Sequence, residues 1–220
     1  MNTKTSISLG LFGSSHIDHY PLDLFKKHNI LPHIISSTPQ NIALIKKQDT
    51  VKKKIEQILA QKIELDMILI IVGANDIGNL KPIQITQGII EIANSFSAIN
   101  IHPVIIPLFN RKKPKHITAA QYNTQRNKVN NRLRTHYKRQ HQHPVVKMHD
   151  MHLKDGVHLT HKSYEYLTNV IANHIRKINL SNHIMGLKVG HHKNPANKEE
   201  IIVDIIKEEK LIKSKIKNKA

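Results

Sequence analysis

The stretch Asp66-Met67-Ile68-Leu69-Ile70-Ile71-Val72 (DMILIIV), followed at once by Gly73-Ala74-Asn75-Asp76, decides the reading of this chain. Its uninterrupted apolar residues make a run of strand length with no polar alternation, the pattern of a strand covered on both faces. Such a strand lies centrally in a sheet. The glycine, asparagine and aspartate that close the run predict a tight turn directly after it.

Working outward, the same grammar repeats on both sides. Ser6–Phe12 (SISLGLF) is a short apolar run ending in Gly13-Ser14-Ser15, and Ile30–Ile35 is another, closed by Ser36, Ser37, Thr38 and Pro39. Helical spacing is read over Leu22–His28, over Asn41–Gln61 (Ile42, Ile45, Val51, Ile55, Ile58, Leu59) and over Ile83–Ala98. Beyond these come a strand at Ile101–Leu108, a long basic helix at Thr118–Gln140 with Thr118 as N-cap, a short strand at Pro144–Met148 and a helix at Thr160–Ile178. Strands alternating with helices predict an α/β fold, a five-stranded parallel sheet with helices on both faces. In such a sheet chemistry collects beyond the carboxyl ends of the strands. Residues 1–178 form the expected domain. From Asn179 the glycine, proline and asparagine content predicts a linker, and Glu199–Ala220 a charged tail with Ile201, Ile205, Ile212 and Ile216 near one helical face.

Composition removes several classes. The chain of 220 residues is 39% apolar, with no apolar run near the ~20 residues of a membrane span. It has no cysteine, which excludes disulfides, thiolate metal sites and a cysteine nucleophile. Its start, MNTKTSISLGLF, lacks the pattern of a signal peptide, so an intracellular protein is expected. The net charge is +18, and the segment between Ile92 and His149 holds eleven Lys/Arg and no Asp or Glu. A potential of that sign attracts polyanions. The expected nucleic-acid face includes Arg111, Lys112, Lys113, Arg126, Arg132, Arg134 and Arg139, although the same charges would also serve to solvate a helix face. His141/His143 and His149/His152 lack carboxylates at matching positions, so no metal and no cofactor is expected.

Three turns carry complementary chemistry. Gly13-Ser14-Ser15-His16 offers a serine hydroxyl at a strand end, beside a helix start whose backbone N–H can meet an oxyanion. In Gly73-Ala74-Asn75-Asp76 the asparagine amide can donate to developing negative charge. In Asp155-Gly156-Val157-His158-Leu159-Thr160 a carboxylate three residues before an imidazole can fold back onto Nδ1 and leave Nε2 free as a base. A serine, an oxyanion donor and an Asp/His pair thus fall on the same edge of one predicted sheet.

The order FGSSHI, VGANDIG and DGVHLT resembles the SGNH, or GDSL-type, ester hydrolases over about residues 5–178. That resemblance implies a flavodoxin-like three-layer α/β/α sandwich. It also implies Ser15 as nucleophile, with Ser14 as a weaker rival, His158 as its base and Asp155 as the orienting acid. Asn75 and the Ser15 N–H would form the oxyanion hole, with Gly73 shaping its loop. The segment PLFNRKKPKHITAAQYNTQRNKVNNRLR and then DGVHLTHKSYEYL further resemble the SGNH domains carried by eukaryotic retroelements. Two departures stand out from the family pattern: Ser14 occupies the place of its aspartate, and there is no glycine between Gly13 and Gly73 to supply the second oxyanion donor. The backbone of Ser36 or Ser37 is the expected substitute, since a main-chain donor needs no particular side chain. The P-loop, dinucleotide, zinc-protease and G-x-S-x-G signatures are absent. The expectation is a serine ester hydrolase acting on short acyl or acetyl esters, or alternatively a nucleic-acid-binding protein on a weakened hydrolase scaffold.

Overall fold

A computed structural model describes residues 6–36, 50–139 and 144–184, with side chains as far as Ile178. The expected tail helix at Glu199–Ala220 and residue Ser37 lie outside the described residues. Strand β1 (Ile7–Gly13) leads into a single helical turn, α1 (Ser15–Asp18), and a 3-10 helix follows at Leu22–His28. Then come β2 (Ile30–Ser36), α2 (Thr50–Ala60), β3 (Met67–Ile71), α3 (Pro82–Ser97), β4 (His102–Ile105), α4 (Ala119–Arg139) and α5 (His161–Ile184).

The four strands form one parallel sheet in the order β2-β1-β3-β4. Strand β3 is buried along its whole length, as its unbroken apolar run predicts. Its side chains divide by parity. Ile68 and Ile70 enter a core with Phe12, Ile85, Ile89, Phe96, Val129 and Leu133, so α3 and α4 cover that face. Met67, Leu69 and Ile71 enter a second core with Leu9, Leu11, Phe25, Leu167, Ile171 and Ile175, so α5 and the 3-10 helix cover the other. Two cores on opposite faces of one sheet make the three-layer α/β/α sandwich.

The fifth strand is reduced to a single bridge. Val145 pairs in parallel with Ile105, through Ile105 N–H to Pro144 O at 2.8 Å and Val146 N–H to Ile105 O at 3.0 Å. Strand β4 also stops at Ile105, short of the expected Leu108. Ile106 N–H still reaches Ile70 O at 3.0 Å, Pro107 has no N–H to give, and at Leu108 a side chain takes over: Asn130 of α4 accepts the Leu108 N–H at 2.9 Å and donates to the Leu108 carbonyl at 3.0 Å. Helix α4 opens with Thr118 Oγ1 accepting the Gln121 N–H while Gln121 Oε1 accepts the Thr118 N–H, a reciprocal cap. Helix α5 runs on to Ile184 rather than ending at Ile178.

Strand order reverses between β1 and β3. This is where doubly wound sheets open a crevice at their carboxyl ends, and the turns after β1 and β3 flank it.

Candidate active site

The turn after β1 is held against the end of β3. Ser14 N–H donates to Ile71 O at 3.1 Å, and a Cβ on Gly13 would lie 2.5 Å from that same carbonyl oxygen, so only glycine allows the approach. Ser14 is then buried, while Ser15 stands half-exposed at the start of α1. Tyr164 of α5 donates its hydroxyl to His16 O at 3.0 Å, fixing the turn from the opposite layer.

Ser15 Oγ lies 3.3 Å from His158 Nε2, and His158 Nδ1 lies 2.7 Å from Asp155 Oδ2. The first distance is at the long end for a hydrogen bond. Asp155 Oδ1 also accepts the backbone N–H groups of Val157 at 2.8 Å and His158 at 2.7 Å. The hydrogen bond from the His158 ring, reinforced by those two backbone donors, holds the Asp155 carboxyl well below the usual carboxylate range. The loop that carries the pair is pinched at its base by Lys154 N–H to His158 O at 2.7 Å and Thr160 N–H to His152 O at 3.2 Å. The His158 and Asp155 side chains are 27% and 51% exposed, so the pair faces solvent rather than a sealed chamber.

Asn75 follows β3, in a loop entered through Gly73 at φ 101°, a backbone conformation that glycine adopts without strain. Arg111 Nη2 donates to Asn75 Oδ1 at 2.9 Å. Ser36, the candidate substitute for the missing glycine, is buried at the end of β2 in register with Phe12 of β1.

Two further imidazoles surround His158, His16 at 5.7 Å and His19 at 4.7 Å between ring centroids. Burial, with the positive charge of Arg111 next, lowers the His16 pKa to about 3, so His16 stays neutral. Sequence reasoning did not single out either histidine; the signal was only their position within one turn of Ser15.

The expected basic face divides. Lys112, Lys113, Arg132, Arg134 and Arg139 are exposed. Arg111 and Arg126 are buried and do not belong to it. Arg126 pairs with Asp150 at 2.6 Å and bonds Asn127, while Arg111 reaches Asn75. Arg111 and Arg126 are therefore the two residues whose place was misjudged from sequence, and of these Arg111 reaches the candidate site. Its signal was the loop after β4, which opens on the same sheet edge as the other turns.

Among the described residues no group of three or more His, Asp or Glu is arranged to hold a metal ion, and no helix is long and apolar enough to cross a membrane.

A parallel sheet in the order β2-β1-β3-β4 with helices on both faces makes this an α/β protein with the fold of the SGNH hydrolase structures. The chain is similar in structure to a GDSL-like lipase from Bacteroides thetaiotaomicron, with TM-score 0.57 and 15% identity over 80% of this chain and 91% of that one. It is also similar to a member of the lipolytic G-D-S-L family from Veillonella parvula, with TM-score 0.54 and 11% identity over 75% of this chain and 96% of that one. An acetyl xylan esterase, AlAXEase, matches with TM-score 0.53 and 12% identity over 77% of this chain and all (100%) of the other. No protein-family model matches the sequence, and no curated protein matches it.

Proposed function

We propose that the protein is a serine ester hydrolase acting on short acyl esters, with Ser15 as nucleophile, His158 as general base and Asp155 as the orienting acid. One observation carries the reading: the unbroken chain of contacts from Asp155 Oδ2 through His158 Nδ1 and Nε2 to Ser15 Oγ. In this mechanism Asp155 holds the His158 proton on Nδ1, so Nε2 is the free base. His158 Nε2 takes the Ser15 hydroxyl proton as Oγ bonds to the ester carbonyl carbon. The carbonyl oxygen becomes an oxyanion, which accepts from the Ser15 N–H and from Asn75 Nδ2. The intermediate collapses, the carbon–oxygen bond to the alcohol breaks, and the departing oxygen collects the proton from His158. Water then repeats the sequence on the acyl-serine, giving up a proton to His158 and releasing the carboxylic acid.

The exposure of His158 and Asp155 leaves the site open to esters presented from solvent, short acyl esters among them. Similarity in fold to an acetyl xylan esterase supports the same class. The test is labelling by a fluorophosphonate probe, which bonds only to an activated serine. Label is expected on Ser15, and Ser15→Ala and His158→Ala should each abolish both the label and the turnover of p-nitrophenyl acetate. Undiminished turnover in both variants would overturn the assignment.

A second reading rests on α4, whose exposed cations Lys128, Arg132, Arg134, Lys138 and Arg139 have no acidic residue on the same helix. It expects binding of single-stranded nucleic acid that weakens steeply with salt and survives Ser15→Ala. Binding that ignores salt would remove it.

A further inference from the structure

Arg111 differs from every cation beside it. Lys112, Lys113 and Lys115 point to solvent, whereas Arg111 is only 8% exposed. Its Nη2 donates to Asn75 Oδ1 at 2.9 Å, its guanidinium carbon lies 5.6 Å from the Tyr122 ring centroid, and its Nε is buried with no acceptor. A guanidinium in this state is costly to bury. Solvation does not account for its placement.

The Asn75 amide explains what the contact achieves. An asparagine side chain ends in an oxygen and a nitrogen of nearly equal size, so packing alone does not choose which one faces a given direction. Arginine has donors and no acceptor, and it can therefore bond only Oδ1. With Oδ1 taken, Nδ2 is the end left for the site. A charged donor on the oxygen also polarises the amide, which strengthens the N–H groups on its far side. The segment holding Arg111 is itself braced on the loop of Asp155 and His158, through Lys112 N–H and Lys113 N–H to Gly156 O at 2.9 and 3.4 Å. One short stretch after β4 thus touches both the oxyanion donor and the loop of the base.

We propose that Arg111 is a positioning residue for ester hydrolysis, one that fixes the Asn75 amide with Nδ2 as the oxyanion donor. The proposal rests on the hydrolase reading of the site and goes beyond it, because it assigns to this chain a built support for an oxyanion site that lacks the glycine donor.

The experiment is a double-mutant cycle in p-nitrophenyl acetate turnover. Asn75→Ala is expected to lower kcat by roughly 10²–10³. Arg111→Met should lower kcat by roughly tenfold or more, a fraction of the oxyanion-donor loss, with KM little changed. Arg111→Lys, which keeps the charge and much of the volume, should recover part of that loss. The deciding result is Asn75→Ala/Arg111→Met: if Arg111 acts through Asn75, the double variant is no slower than Asn75→Ala alone. Losses that multiply, or an Arg111→Met enzyme as fast as its parent, would overturn the positioning role and leave the hydrolase reading standing. A parent chain that neither takes the fluorophosphonate label nor turns over ester would overturn both. The side-chain amide resonances of Asn75, assigned by their loss in Asn75→Ala, give an independent readout and should move in Arg111→Met.

Discussion

Asp155 receives three donors on two oxygens: the His158 ring on Oδ2, and the Val157 and His158 amides on Oδ1. This division makes the isosteric amide an informative substitution. In Asp155→Asn, keeping the amide oxygen on the two backbone N–H groups turns an NH2 toward His158 Nδ1, which drives the ring proton to Nε2 and removes the base. Turning the oxygen to the ring instead sets NH2 against two backbone donors. Either orientation costs catalysis, and kcat for p-nitrophenyl acetate should fall by about 10⁴, as the same change does in another triad. A loss under about tenfold would mean that the carboxylate does not orient the ring. The Asp155/His158 pair was legible in the sequence because a three-residue spacing across a glycine loop is a local matter. The Arg111 contact with Asn75 was not, since it spans 36 positions and is hidden within a run of lysines that do face solvent.

At the level of elements, the apolar patterns located β1, β3, α3 and α4 to within a residue or two, because burial on a sheet face or helix face imposes its own period on the sequence. They overstated β4 and the strand after it. An apolar run records burial, not where backbone hydrogen bonds go, and the groups of Leu108 are satisfied by Asn130 rather than by a neighbouring strand. The position of the turn that carries Ser15 depends on an element boundary of the same kind. At Gly13 an added Cβ would meet Ile71 O at 2.5 Å and Ile71 C at 3.1 Å, both backbone atoms of β3 that cannot swing aside. Gly13→Ala should therefore separate the ends of β1 and β3. The expected destabilisation is about 1–3 kcal/mol, read as a lower thermal midpoint. Because those strand ends carry Ser15 and Asn75, turnover should fall further than the lost stability explains while the protein remains folded. A Gly13→Ala variant with parental midpoint and turnover would show that the close approach is not needed.

Over the whole molecule, acid stability is expected to depend on a buried neutral imidazole in a chain already strongly positive. The His16 ring packs edge-on against Phe109 at 4.9 Å, and its Nδ1 is buried without a partner. Burial first, and then the charge of Arg111, lower its pKa from 6.5 to about 3. Between those values the unfolded chain binds a proton that the folded chain refuses, so stability is complete above about 6.5 and declines as pH falls toward about 3. Asp155 acts in a separate and lower window: its depressed pKa gives stability that is present above the ordinary carboxylate value and lost as pH drops through the folded one. His16→Phe removes the first effect alone, keeps an aromatic ring against Phe109 and leaves no polar atom stranded. Comparing denaturant midpoints at about pH 7 and about pH 4.5, the parent should lose on the order of 2 kcal/mol more than His16→Phe does. The sign follows from the direction of the shift, since a buried imidazole that gained a proton would instead stabilise the fold in acid. Equal losses in the two proteins would mean that the folded chain takes up the His16 proton as readily as the unfolded one, and that this ring is not the source of the acid sensitivity.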